Sequence, residues 1–264
     1  MISTSLFVIS GLTFSYYSYK KRKEREEKLR KAEEGRIIDY QGKRVAIFGL
    51  SANPPTGENG HQGIIRHLVQ KGMFDEIWVL PVYHHILKEG VKMASYEDRI
   101  NMCKLAFEGE SSIRTQIKVL ELEKEVCLHF IEKNSQERVG TIDILRHIHS
   151  RFRNIELYLV LGGDTFFDLS IGKWKQHNSI PELCQLYVIG REFDFNKNNE
   201  QSIVFQSQFA HKIIFSRFVM MGRISSSSLR LEKPWNEVEE KKVGKGVIHP
   251  KVFEYIRQHH VYSD

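Results

Sequence analysis

The sequence lacks most of what would mark an extracellular, repetitive or nucleic-acid-binding protein. It has three cysteines, Cys103, Cys127 and Cys184, odd in number and far apart. They form no C-x-x-C pair, which argues against a zinc knuckle and a disulfide framework and fits a reducing compartment. There is no internal repeat. Neither common phosphate loop is present, since no G-x-x-x-x-G-K-[ST] and no G-x-G-x-x-G occurs. Positive charge is also scarce where a nucleic acid would need it. The chain carries +6, but residues 20–36 hold nine Lys or Arg against five Glu and account for +4, so the rest carries +2. That leaves no basic footprint for a phosphate backbone, and nucleic acid is not an expected partner. What is present is globular: 264 residues, 41% hydrophobic, with 16 Phe and 10 Tyr, enough to bury a large core.

Long hydrophobic runs are confined to Met1–Tyr19, which is uncharged and followed by Lys20-Lys21-Arg22-Lys23. Nineteen residues at about 1.5 Å each reach roughly 30 Å, the minimum for a bilayer span. Seven Ser or Thr and Gly11 weaken it as a helix. A signal-anchor with its basic flank in the cytosol follows from the positive-inside rule. A cleaved secretory signal fits less well, because its charges ordinarily precede the apolar run. A peripheral tail is the third reading. The expected organisation is a hydrophobic segment over 1–19, a charged helical linker over 20–42 and one domain over 43–264, cytoplasmic and carried behind a possible membrane anchor.

From Lys43 the chain alternates strand-like and helix-like stretches. Strands are expected at Arg44–Gly49, Glu76–Pro81, Ile117–Leu122, Glu156–Leu161, Leu186–Ile189 and Lys212–Phe215. Helices are expected at His61–Lys71, after Ser95, at Thr141–Phe152 and from Pro250 to about Gln258. Such alternation predicts an α/β fold, a doubly wound parallel sheet with ligands beyond the carboxyl ends of its strands. Chemistry is therefore sought after Gly49, Pro81, Leu161 and Ile189.

The first strand empties into Gly49-Leu50-Ser51-Ala52-Asn53-Pro54-Pro55-Thr56-Gly57-Glu58-Asn59-Gly60-His61. A small-residue loop opening onto a helix start suits close approach by a phosphate, with His61 as a donor. A plain strand-to-helix turn explains the same residues. Near the other end, Gly222-Arg223-Ile224-Ser225-Ser226-Ser227-Ser228-Leu229-Arg230 offers hydroxyls and a guanidinium to an anion, although a Ser-rich loop with a capping box reads as well.

Together these stretches resemble the HxGH nucleotidyltransferases, nearest to the nicotinate and nicotinamide mononucleotide adenylyltransferases. Gly49…Asn53-Pro54-Pro55…Gly60-His61 is similar to G-G-[ST]-F-[DN]-P-x-H-x-G-H, and Ile224–Arg230 to I-S-S-T-x-I-R. Between and beyond them, Arg99…Met102…Leu105-Ala106, Gly140–Leu145, Gly162-Gly163-Asp164 with Leu169 and Trp174, Val188–Arg191 and His249–Val252 with Tyr255-Ile256 and Tyr262 follow the family's order. The resemblance spans residues 43–262 and implies a Rossmann-like nucleotidyltransferase fold. It departs in two places. Ser227 replaces a threonine, and the first motif histidine is missing, with either Thr56 or Glu58 in its place.

The resemblance implies adenylyl transfer. The 5′-phosphate of a pyridine mononucleotide attacks the α-phosphate of ATP and pyrophosphate leaves, through positioning and charge stabilisation. It assigns His61 to the α-phosphate, and Ser226, Ser227 and Arg230 to the β- and γ-phosphates. Gly49, Ser51, Thr56 and Gly60 form the phosphate loop. Gly162 and Asp164 fit adenosine or ribose, and Lys88 or Lys92 adds positive charge. Trp174 and Arg191 are candidates for the pyridine side, with core packing an equal reading of Trp174. Mg²⁺ is expected on the nucleotide phosphates, since no carboxylate cluster is evident. Two alternatives stand beside this: transfer to another phosphorylated metabolite, and a tethered nucleotide-binding protein with little turnover.

Overall fold

A computed structural model of the chain describes residues 37–83, 93–132, 138–191, 199–220, 226, 229 and 246–262. The side chains of residues 191, 219 and 220 are outside that description. Strands are β1 (Ile38–Asp39), β2 (Arg44–Leu50), β3 (Glu76–Pro81), β4 (Gln116–Val119), β5 (Phe152–Arg153), β6 (Glu156–Gly162), β7 (Gln185–Arg191) and β8 (Ile213–Met220). Helices are α1 (His61–Lys71), α2 (Tyr96–Phe107), α3 (Leu122–Glu132), α4 (Thr141–Arg151), α5 (Gly163–Ser170), α6 (Ile180–Leu183), α7 (Glu200–Gln208) and α8 (Pro250–Gln258).

Six strands form one sheet in the order β4-β3-β2-β6-β7-β8, and every pairing is parallel. The expected doubly wound sheet is what the chain builds. Strand alternation sends neighbouring side chains to opposite faces. Ala46, Phe48 and Leu50 of β2 join Ile77 and Val79 of β3 against α1, α2 and α8, through Ile65, Leu68, Met102, Phe107, Val252 and Ile256. Val45 and Ile47 join Trp78, Leu80, Leu157 and Leu159 against α4 and α5, through Ile142, Leu145, Ile148 and Leu169. Burying each large aliphatic side chain contributes about 1.5–3 kcal/mol, so the two faces hold the sheet rigid between helix layers.

Three expectations need correction. The fourth-strand region ends at Val119, and Leu122 opens α3 instead, burying itself and Val126. Phe152 leaves α4 and pairs with Ile38 in a two-stranded parallel ladder. Residues 38–40, assigned to the linker from sequence, thus belong to the folded body, and the Tyr40 ring meets the edges of Trp78 and Phe152. Among the described residues no helix is long and apolar enough to cross a membrane. Residues 1–19, the candidate anchor, lie outside them.

Candidate active site

The strand order reverses between β2 and β6: the chain steps outward through β3 and β4, then crosses back to β6 and steps outward through β7 and β8. In parallel sheets such a reversal leaves a crevice at the carboxyl ends, because successive helices pack on opposite faces there. Gly49 and Gly162 stand on its two sides. Gly49 is exposed within an otherwise largely buried strand, and a Cβ added there would meet nothing within 4 Å. The crevice is open at the place the sequence singled out.

Four tethers set the path of the loop that leaves β2. Arg99, 3% exposed on α2, donates from Nη1 to the Ser51 carbonyl at 3.1 Å and to the Val82 carbonyl. It also reaches the Tyr83 carbonyl at 3.3 Å and, from Nε, the Ala94 carbonyl at 3.2 Å. One guanidinium therefore joins the loops after β2 and β3 and the entry to α2. Burial pushes its pKa down. Asn53, whose peptide bond to Pro54 is cis, accepts at Oδ1 from Ala94 N–H at 3.0 Å and from the Tyr262 hydroxyl at 2.7 Å. The Ser226 hydroxyl donates to the Pro54 carbonyl at 2.7 Å. Gly57 N–H donates to the Val247 carbonyl at 2.8 Å.

That loop delivers Thr56 to His61, the first residue of α1. Thr56 Oγ1 accepts from His61 N–H at 2.8 Å, capping the helix from five residues upstream. Thr56 N–H in turn donates to His61 Nδ1 at 3.0 Å, and Thr56 Oγ1 lies 2.9 Å from the same nitrogen. A ring nitrogen that accepts a backbone N–H carries no proton of its own, so in the neutral ring the proton sits on Nε2. The first turn of α1 contains no acidic residue, so nothing there offsets the positive end of the helix dipole. Glu58 turns away: its Oε1 meets Arg66 Nη1 at 3.0 Å. Of the two residues left open by the sequence, Thr56 is the one against the histidine.

The other expected site residues are placed as follows. Gly162 ends β6, and Asp164, in the first turn of α5, accepts at Oδ1 from Thr165 N–H at 2.9 Å. An added Cβ at Gly162 would lie 2.9 Å from that carboxylate. Gly60 immediately precedes α1. Trp174 is half-buried and packs on the core face carrying α4 and α5, as its packing reading expects. Arg191 ends β7 opposite Met220. Lys88, Lys92, Ser227 and Arg230 lie outside the described residues. Among the described residues no three His, Cys, Asp or Glu side chains come together as a metal site. Sequence reasoning assigned no role to Arg99, Asn53 or Tyr262. Their only visible signal was their place in the motifs that carry the family resemblance.

Residues 47–232 match the cytidylyltransferase-like family. The probable nicotinate-nucleotide adenylyltransferase of Aquifex aeolicus is 32% identical over 157 residues, covering 58% of this chain and 81% of that protein. The one of Flavobacterium johnsoniae is 27% identical over 204 residues, 77% of this chain and 92% of that protein. In fold, the chain resembles Plasmodium falciparum nicotinic acid mononucleotide adenylyltransferase complexed with NaAD. The TM-score is 0.60 at 22% identity, over 83% of this chain and 97% of that one. With the motif order, the crevice and the family match in agreement, the chain belongs to the cytidylyltransferase-like family and is a nucleotidyltransferase.

Proposed function

We propose that the protein transfers the adenylyl group of ATP to nicotinate mononucleotide, giving the dinucleotide and pyrophosphate. The observation that carries this reading is His61, held by Thr56 with its proton on Nε2, at a helix start without acidic residues beside an open crevice. A donor held in that way suits a phosphoryl group that gains charge during reaction. The choice of adenylyl transfer and of the acid mononucleotide follows the names of the relatives.

A phosphate oxygen of the mononucleotide forms the new bond to the α-phosphorus of ATP as the bond to the β-phosphate oxygen breaks. Pyrophosphate takes the electron pair. His61 Nε2–H stabilises the α-phosphoryl oxygens, and Thr56 keeps the ring from turning. Ser226, Ser227 and Arg230 are assigned to the β- and γ-phosphates. The Ser226 hydroxyl proton is engaged by Pro54, which leaves its oxygen as acceptor and makes it more a loop tether than a donor. Asp164 is assigned to ribose hydroxyls, Arg191 to the pyridine side, and Lys88 or Lys92 to added positive charge, while Trp174, packed on the core, is left out of the pocket. Mg²⁺ would arrive on the triphosphate oxygens, where it neutralises leaving-group charge.

The test is product analysis with ATP or CTP against nicotinate mononucleotide, nicotinamide mononucleotide and unrelated phosphorylated metabolites. Nicotinate adenine dinucleotide and pyrophosphate in equal amounts are expected from the first pair. Turnover only with CTP, or only with another acceptor, would replace this reading.

A further inference from the structure

Between Thr56 and His61 the chain is two residues longer than the H-x-G-H spacing, and the extra length is tightly packed. Gly60 N–H donates to the Gly57 carbonyl at 2.9 Å, closing a turn. On its outer side this turn meets the backbone at 246–248. A Cβ added at Gly57 would lie 2.4 Å from the Gly246 carbonyl oxygen and 3.0 Å from Ile248 N. On its inner side, a Cβ at Gly60 would lie 2.0 Å from Thr56 Oγ1, and one at Gly63 would lie 1.9 Å from the Glu58 carbonyl oxygen. Three glycines, at 57, 60 and 63, thus let backbone approach where any side chain would push it away.

One side chain secures the turn to the helix it opens. Arg66, on α1, bonds Glu58 Oε1 at 3.0 Å through Nη1. Through Nε and Nη2 it holds both oxygens of Glu110, at 3.1 and 2.9 Å. Gln62 Nε2 adds a bond to Glu110 at 2.9 Å. The Arg66 bonds hold the Glu110 carboxyl below its ordinary range. The bidentate pair fixes the plane of the guanidinium, and that plane sets where Glu58, and the turn behind it, can sit.

We propose that Arg66 and the turn at 246–248 are positioning elements for His61: they seat the Gly57–Gly60 turn so that Thr56 bonds the imidazole. This rests on the role given to His61 above. A solvent-accessible ion pair contributes little by itself, so the close glycine packing is the stronger part and Arg66 the weaker. Neither touches substrate.

The experiment uses the full chain and compares Gly57→Ala, Arg66→Ala, Arg66→Lys and His61→Ala. Measurements are kcat, KM for ATP, thermal unfolding, and the ¹⁵N shifts of the His61 ring nitrogens. Gly57→Ala is expected to lower kcat roughly 30- to 100-fold with little change in KM, and to move the Nδ1 shift off its acceptor position. For Arg66→Ala, about a 3- to 10-fold loss in kcat is expected, partly restored in Arg66→Lys. If His61→Ala abolishes turnover while Gly57→Ala and Arg66→Ala keep kcat and the ring shifts of the parent, the positioning proposal is overturned and the function stands. Full turnover in His61→Ala overturns the reading of the site itself. A Gly57→Ala protein that does not fold leaves the decision to Arg66→Ala, whose unchanged kcat and ring shifts would count against the proposal.

Discussion

The two ends of the sheet each bury a charge, and they neutralise it in different ways. At the amino ends, Glu76 is 2% exposed and is bound by side chains. Lys118 Nζ lies at 2.7 Å, Trp78 Nε1 at 2.8 Å, the Tyr40 hydroxyl at 3.3 Å and Lys43 Nζ at 3.4 Å. At the carboxyl ends, Arg99 is as deeply buried; its described hydrogen-bond partners are main-chain carbonyls from three loop positions, and it lies over the Tyr96 ring. A buried charge bound by side chains on strands locks those strands together. One bound by carbonyls dictates the course of loops and keeps its positive charge near the place where phosphates are proposed to bind. The amino end is built for stability and the carboxyl end for the placement of chemistry.

The largest effect should come from the carboxyl end. His61→Ala is expected to lower kcat about 100- to 1,000-fold, the usual cost of one preorganised donor, with KM for ATP little changed. Thr56→Ala should follow at about tenfold, since it removes the cap and the hydroxyl but keeps the backbone N–H on Nδ1. Steady-state kinetics with unchanged thermal unfolding would place both effects in the site. Equal loss of stability and turnover would blur the distinction between the two ends.

Arg99→Ala should be mixed. It leaves several buried carbonyls short of a donor, costing about 1–3 kcal/mol, and it loosens two site loops, so kcat/KM should fall at least tenfold. Arg99→Lys cannot span the same carbonyls and should rescue little. Glu76→Ala should cost about 2 kcal/mol in denaturant unfolding while kcat stays within a factor of two. Burial alone would raise the Glu76 carboxyl, but bonds from Lys118 and Trp78 and the charges of Lys118 and Lys43 outweigh it and hold it below its ordinary 4.5. The folded state thus binds this proton less readily than the unfolded one. The stabilisation is fully present above about pH 4.5 and is lost as pH falls through the lowered folded value. Unfolding midpoints from pH 7 to 3 should show that loss in the parent and less of it in Glu76→Gln. Smallest of all, Gly49→Ala meets no neighbour. It should leave stability unchanged and raise KM for ATP a few-fold, because the methyl projects into the crevice.

Much of the fold was legible because its strands are apolar on both faces, as in Glu156–Gly162, and because caps mark the helices, as Ser95 does by accepting Asp98 N–H. Four helices, α3, α5, α6 and α7, were not expected from the sequence, and two of them escaped for a shared reason. In α7, Ile203 and Val204 are more than half exposed and Ser202 is buried, so its apolar residues do not mark its inner face. In α3, Ile131 is likewise exposed, and the preceding strand runs into it with two residues between. The position of the histidine was legible from Gly60-His61, but the choice between Thr56 and Glu58 was not. It depends on Arg66, a turn further along α1, and on Gly246, far along the chain. The work of Arg99 was hidden as well, since a bond to carbonyls leaves no pattern in side-chain types.

Tyr262 and Asn53, whose 2.7 Å bond ties down the loop after β2, are 209 positions apart. Contacts of such separation form late in folding, after local helices and neighbouring strands, because the intervening chain must be ordered first. Assembly of the sheet and acquisition of activity are thus separable in time. On refolding from denaturant, the far-ultraviolet signal should return before turnover does, and Tyr262→Phe should widen that lag. On a ribosome, the loop after β2 would emerge 209 positions ahead of Tyr262 and stay unfinished until the turn that follows α8 is released.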